Sequence, residues 1–140
     1  MKAVTIADLV FASLRYRPDR IILGEVRGGE AWDLLQALNT GHLGSFSTIH
    51  ANSAGQALLR LANLVLMSSV DMPLRGTKDA IALAIDIVAH IDRIDGQRRV
   101  AQVISVDGYD NRKDQFITSS LYPEPEAGVF SGTVTLTKSR

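Results

Sequence analysis

DRIILGEVR, residues 19–27, is the stretch on which the fold turns. Ile21, Ile22 and Leu23 are consecutive large apolar residues, which suits a strand buried on both faces, as in a parallel sheet. Gly24 and Glu25 end that strand with a carboxylate. In open α/β sheets the ligand crevice lies outside the carboxyl ends of the strands, so an acid here is placed for ligand work. A short apolar run ending in an acid also occurs as an ordinary surface-facing strand end, and the neighbouring residues must decide between the two.

Immediately downstream, Gly28-Gly29 permits a tight turn, and the spacing predicts a helix over 30–38 with Ala31, Leu34, Leu35 and Leu38 buried and Gly41 closing it. Trp32 lies off that stripe, half-exposed or in contact with another chain. TGHLGSFSTIHAN follows, residues 40–52. Phe46, Thr48 and Ile49 favour a short strand, with His42 in the loop before it and His50 at its far end. Ser53 and Gln56 form a capping pair for a helix over 54–67, whose buried side is Leu58, Leu61, Ala62 and Val65. Its N–H groups point towards the end of that strand. Glu25, His42 and His50 are metal-ligand types, but they lack the tight spacing of a zinc site. A histidine-based metal hydrolase would require metal in the purified chain.

Upstream, Thr5 and Asp8 resemble a helix N-cap pair. The helix begins near Ile6, buries Ile6, Leu9, Val10 and Leu14, and ends near Arg17 because Pro18 cannot continue it. Arg15, Arg17 and Arg20 cluster there, either complementing the helix dipole or meeting an anionic ligand or neighbouring subunit.

Further along, Pro73 starts a helix that runs to about Ala84, and Ile85 to Ile94 reads as a strand. Asp95-Gly96 is a strong hairpin signal. The return strand, 98–106, places Val100, Ile104 and Val106 on one side, and a third strand near 115–119 completes an antiparallel meander, read as a structural flap. Beyond Tyr122 there are two prolines and no apolar period, so residues 123–140 are expected to be a disordered tail after a domain over 1–122.

Composition bounds these readings. The 140 residues, 46% hydrophobic, suffice for one domain with a real core. Fifteen basic residues balance fifteen acidic ones, so no overall field draws the chain to nucleic acid or an anionic membrane. The absence of cysteine excludes disulfides and thiolate metal sites and fits a reducing compartment. No apolar stretch approaches the roughly 18 residues of a transmembrane segment.

RPDRIILGEVRGGEAWDLLQALNTGHLGSFSTIHANS, residues 17–53, resembles the Walker B segment and histidine box of the secretion ATPases, the motors of type II and type IV secretion, pilus assembly and conjugation. RPDRI, GEVRG, TGH and TIHA occur in the right order with unbroken spacing, and the wording is nearest the type IV secretion and tight-adherence pilus branch. The resemblance implies a partial RecA-like P-loop NTPase core, α/β, followed by an antiparallel β-meander. It implies ATP and magnesium as cofactors. Glu25 matches the Walker B acid that orients magnesium through water, with Gly24 and Arg27 in the same motif. His42 and His50 match the box histidines near the γ-phosphate, with Thr48 beside them. Arg15, Arg17 and Arg20 stand where the family has basic residues, some of which approach nucleotide from an adjacent protomer. The implied partners are other motor subunits in a homo-hexamer and inner-membrane secretion or pilus platform proteins, and the implied location is cytoplasmic, peripheral to that membrane.

One departure stands out. No GxxxxGK[ST] occurs in these 140 residues, and Lys2, Lys78, Lys113 and Lys138 all lie outside any glycine loop. The stretch therefore resembles the C-terminal part of a motor subunit and is expected not to hydrolyse ATP alone. The alternative is a non-catalytic interaction module that packs with or regulates intact subunits. An exposed edge where the Walker A strand would pair implies aggregation or assembly rather than a quiet monomer.

Overall fold

The computed structural model describes residues 3–122 and, for the backbone alone, 132–137. Its elements are α1 (Ile6–Leu14), β1 (Ile22–Leu23), α2 (Glu30–Asn39), β2 (Phe46–Ala51), α3 (Ala54–Val65), α4 (Leu74–Ala84), β3 (Ile87–Ile94), β4 (Gln97–Asp110), β5 (Gln115–Tyr122) and β6 (Gly132–Thr137). The strands form one six-stranded sheet in the order β1-β2-β6-β3-β4-β5. β1 and β2 are parallel. Every other pairing is antiparallel. This is the α/β core followed by a β-meander that the family resemblance implied.

Local chemistry sets most boundaries. The Thr5 hydroxyl accepts from the Asp8 N–H at 3.1 Å, and the Asp8 carboxylate accepts from the Thr5 N–H at 2.9 Å, a reciprocal box that starts α1. Ser53 caps α3 through the Gln56 N–H at 3.2 Å. Asp95 and Gly96 have φ of 51° and 77°, the left-handed pair a two-residue hairpin demands. Gly29 is required for a different reason. A Cβ there would lie 2.9 Å from the Ser68 Cα, so the turn after Glu25 packs directly on the chain leaving α3.

The core lies between the sheet and the layer formed by α2, α3 and α4. Leu34, Leu35, Ile49, Leu58, Leu61, Ile81, Ile85 and Val88 are wholly buried there, with Trp32 packed at its margin. At roughly 1.5–3 kcal/mol for each fully buried large apolar side chain, this cluster dominates the stability of the fold. Lys78, itself buried, joins α4 to the turn between β4 and β5 through Asp114 at 2.7 Å, with its ammonium 5.7 Å from the Tyr109 ring. Asp114 also accepts from the Tyr109 hydroxyl, which pushes that phenol up to about 12 and holds the carboxyl below its ordinary range.

Four expectations are corrected. β1 is a two-residue edge strand rather than one buried on both faces, because no strand or layer among the described residues covers its outer side. Ile21 is buried while Ile22 is 64% exposed. On α1 only Val10 is buried; Ile6 and Leu9 are exposed, because α2 is the one helix with substantial contact to it. In β4 a bulge places Ala101 between the residues opposite His90 and Ile91, so Ala101, Ile104 and Val106 face inward and Val100 does not. Residues 132–137, expected in a disordered tail, form β6, whose run of Thr and Val suits a strand. The rest of that tail lies outside the described residues. β6 also fills the side of β2 away from β1, so the open edge of the parallel pair is β1.

Candidate functional site

Two adjacent strand ends build the site. β1 runs into Gly24 and Glu25, and the parallel β2 brings His50 alongside. The Thr48 hydroxyl donates to the Gly24 carbonyl at 2.5 Å and the Val26 N–H donates to the Thr48 carbonyl at 2.9 Å, so β2 fixes the backbone on both sides of Glu25. Glu30, in the first turn of α2, accepts from the N–H groups of Arg27 and Gly28 at 2.7 and 3.0 Å and shapes the turn that follows.

Glu25 is held between a guanidinium and an imidazole. Its Oε2 lies 2.6 Å from the Arg27 guanidinium and its Oε1 lies 3.1 Å from His50 Nε2. The Arg27 hydrogen bond, against an opposing desolvation, holds the carboxyl below its ordinary value of 4.5, with help from the charges of His50 and Arg60. The same bond raises Arg27. Glu25 is therefore an anion at neutral pH, reachable from solvent and already oriented.

Beside it opens a cleft of about 460 Å³ lined by His50, Ala51, Asn52, Gln56, Leu59, Arg60 and Asn63. Arg60 is the member sequence reasoning missed. Its signal is the i, i+4, i+7 spacing of Gln56, Arg60 and Asn63 along the uncovered side of a helix that opens at the His50 strand end.

The remaining candidates lie elsewhere. His42 sits in the loop before β2, its Nδ1 2.9 Å from the Ala37 carbonyl at the end of α2, whereas His50 stands near the opposite end of β2. Arg15 follows α1 as its C-cap, and Arg17 has a left-handed φ of 50°. Arg20 lines a second recess with Asp19, Gly41 and Leu43, and its guanidinium chain closes on Gly44, where a Cβ would meet Nε at 3.0 Å. The three arginines thus lead into the start of β1, while Glu25 follows its end. The structure unites Gly24, Glu25, Arg27, Thr48 and His50, and it separates them from His42, Arg15, Arg17 and Arg20.

A lone anionic carboxylate, hydrogen-bonded on both oxygens and open to solvent, fits a magnesium ion held through water rather than by direct ligation. Among the described residues no three His, Asp or Glu side chains gather closely enough to form a metal cage.

Taken with the parallel pair and its flanking helices, this strand-end acid defines a partial RecA-like P-loop NTPase core. The comparisons agree. A family model described as Type II/IV secretion system protein matches residues 1–118. The chain is 44% identical over 112 residues to the conjugal transfer protein TrbB of Rhizobium radiobacter, covering 80% of this chain and 33% of that protein. It is 44% identical over 88 residues to the protein VirB11 of Agrobacterium fabrum, covering 61% of this chain and 26% of that one. Among solved structures it is similar to the VirB11 ATPase of the Brucella suis type IV secretion system in complex with sulphate, with a TM-score of 0.67 and 34% identity, covering 71% of this chain and 31% of that one. The chain belongs to the type II/IV secretion ATPase family, on its type IV side, and spans about a third of the length of the curated relatives it matches. Among the described residues no helix is long and apolar enough to cross a membrane.

Proposed function

We propose that these residues form the Walker B and histidine-box portion of a motor that couples ATP hydrolysis to protein or DNA export or to pilus assembly, working as a hexamer on an inner-membrane platform. The observation that carries this reading is Glu25 at the carboxyl end of β1 with His50 3.1 Å away on the adjacent strand. Magnesium bound through water to Glu25 would neutralise phosphate charge. Arg27 keeps that carboxylate ionised and aimed. His50 and Thr48 fix it from β2, and Arg60 adds positive potential on the cleft side, where a polyanion gains most. His42, Arg15, Arg17 and Arg20 serve the opposite end of the strands, where a neighbouring protomer is the nearer explanation than nucleotide bound at Glu25.

Alone, the 140 residues are proposed not to turn over ATP, because they contain no glycine loop with lysine to cradle the phosphates. Phosphate release by the purified chain should stay at background with magnesium and ATP. Magnesium-dependent release that disappears in Glu25→Ala would refute this.

The second reading, an interaction module, draws support from exposed apolar side chains on and beside α1 and β1: Val4, Leu9, Phe11 and Ile22. Retention of a full-length motor subunit by the immobilised chain, lost in Leu9→Asp/Phe11→Asp, is its expected signature.

A further inference from the structure

Residues 25–30 read Glu-Val-Arg-Gly-Gly-Glu, one cation between two acids. The guanidinium of Arg27 lies on the first acid, 2.6 Å from Glu25 Oε2. The second acid uses only one of its oxygens. Glu30 Oε1 accepts from the N–H groups of Arg27 and Gly28, whereas among the described residues no hydrogen bond or ion pair involves Oε2. That free oxygen lies beside Gly28, where a Cβ would stand 3.1 Å from it, so the glycine keeps the space around Oε2 open.

The backbone of this segment has little freedom. Thr48 holds it on both sides of Glu25, Glu30 holds it at Arg27 and Gly28, and Gly29 packs on the Ser68 backbone. The Arg27 side chain is the opposite case: it is 76% exposed and its guanidinium has no partner among the described residues besides Glu25. An ion pair so open to water holds weakly, and exposed side chains change rotamer quickly. A hydrated divalent cation and a guanidinium also compete for one carboxylate and repel each other.

We propose that Arg27 is a two-position side chain, which covers Glu25 while no cation is present and turns to Glu30 Oε2 when a hydrated magnesium ion takes the Glu25 carboxylate. This deepens the magnesium reading of Glu25 and rests on it. The movement is confined to one side chain, since the backbone on either side of it is pinned. Its effect is to carry the occupancy of the strand-end acid into the first turn of α2, where Glu30 stands.

The test uses the 140-residue chain with Mn2+ alone as the probe, read by the broadening of the Gly24 and Val26 amide signals. Arg27→Ala should lower the Mn2+ concentration for half-broadening several-fold. Glu30→Gln, which keeps an acceptor oxygen for the two N–H groups, should raise that concentration several-fold while Arg27 is present, and by less than about twofold once Arg27 is alanine. With saturating Mg2+ the Arg27 Nε–Hε signal should move in the wild-type chain to a position it does not reach in Glu30→Gln. An equal effect of Glu30→Gln in both backgrounds is long-range charge alone and overturns the two-position side chain, as does an Arg27 signal indifferent to Mg2+. Broadening that persists in Glu25→Gln is a different failure: it removes the magnesium reading itself, and the proposal with it.

Discussion

The two ends of β2 carry the same residue type in different work. Near its carboxyl end His50 meets Glu25 across a strand boundary, in the open, beside a cleft. Ahead of its amino end His42 is tied to the last turn of α2, where its ring closes a structural corner. The two histidines, close in sequence, are thus divided in space by the length of a strand, and only the one that shares an end with β1 lies beside Glu25 and the cleft. Spacing along a chain establishes kinship, but the direction of a strand decides which members of a motif can act together.

The comparison is broken most thoroughly through the rod that joins the two ends. Ile49 is wholly buried in the middle of β2, and Ile49→Ala should cost about 2–5 kcal/mol in denaturant unfolding and blur both ends at once. Next comes Ser45→Ala at the amino end. Its buried hydroxyl accepts from the Ile21 N–H at 2.7 Å, and losing that partner should cost about 1–3 kcal/mol while leaving the Glu25 carboxyl titration in place. His42→Ala should cost about 0.5–1.5 kcal/mol, again without moving Glu25; a shifted Glu25 titration in this variant would erase the distinction drawn between the ends. The smallest effect on stability belongs to Arg27→Ala at the exposed end, and it is read by NMR titration. Glu25 should rise towards 4.5. A depressed carboxyl contributes stability above its unfolded value and loses it as pH falls through the folded one. The wild-type chain should therefore lose this contribution on acidification below about pH 4.5, and the variant should show a flatter acid limb.

Whatever depended on near neighbours in sequence was legible. The Thr5–Asp8 box, the Ser53 cap, the buried stripes of α2 and α3 and the Asp95-Gly96 hairpin all follow from contacts within a few residues. The meeting of Glu25 and His50 was legible because each stands at the end of a strand. Pairing at a distance was not. β6 owes its place to edges contributed by residues more than forty positions away, and no apolar period announces it. The bulge at Ala101 reverses an alternation that the sequence displays without interruption. Arg60 is a solvent-facing arginine until β2 is laid next to α3. The apolar residues of α1 announce a buried face, and most of that face is bare among the described residues.

The close approach at Gly29 gives α3 a second hold on the site. Arg60 acts on Glu25 through its field, whereas Met67 and Ser68, just past the end of the same helix, touch the Glu25 turn backbone to backbone. There is no side chain between them to bend or rotate. The end of α3 consequently fixes where the turn between Glu25 and α2 can lie, and Gly29 is the position through which it does so.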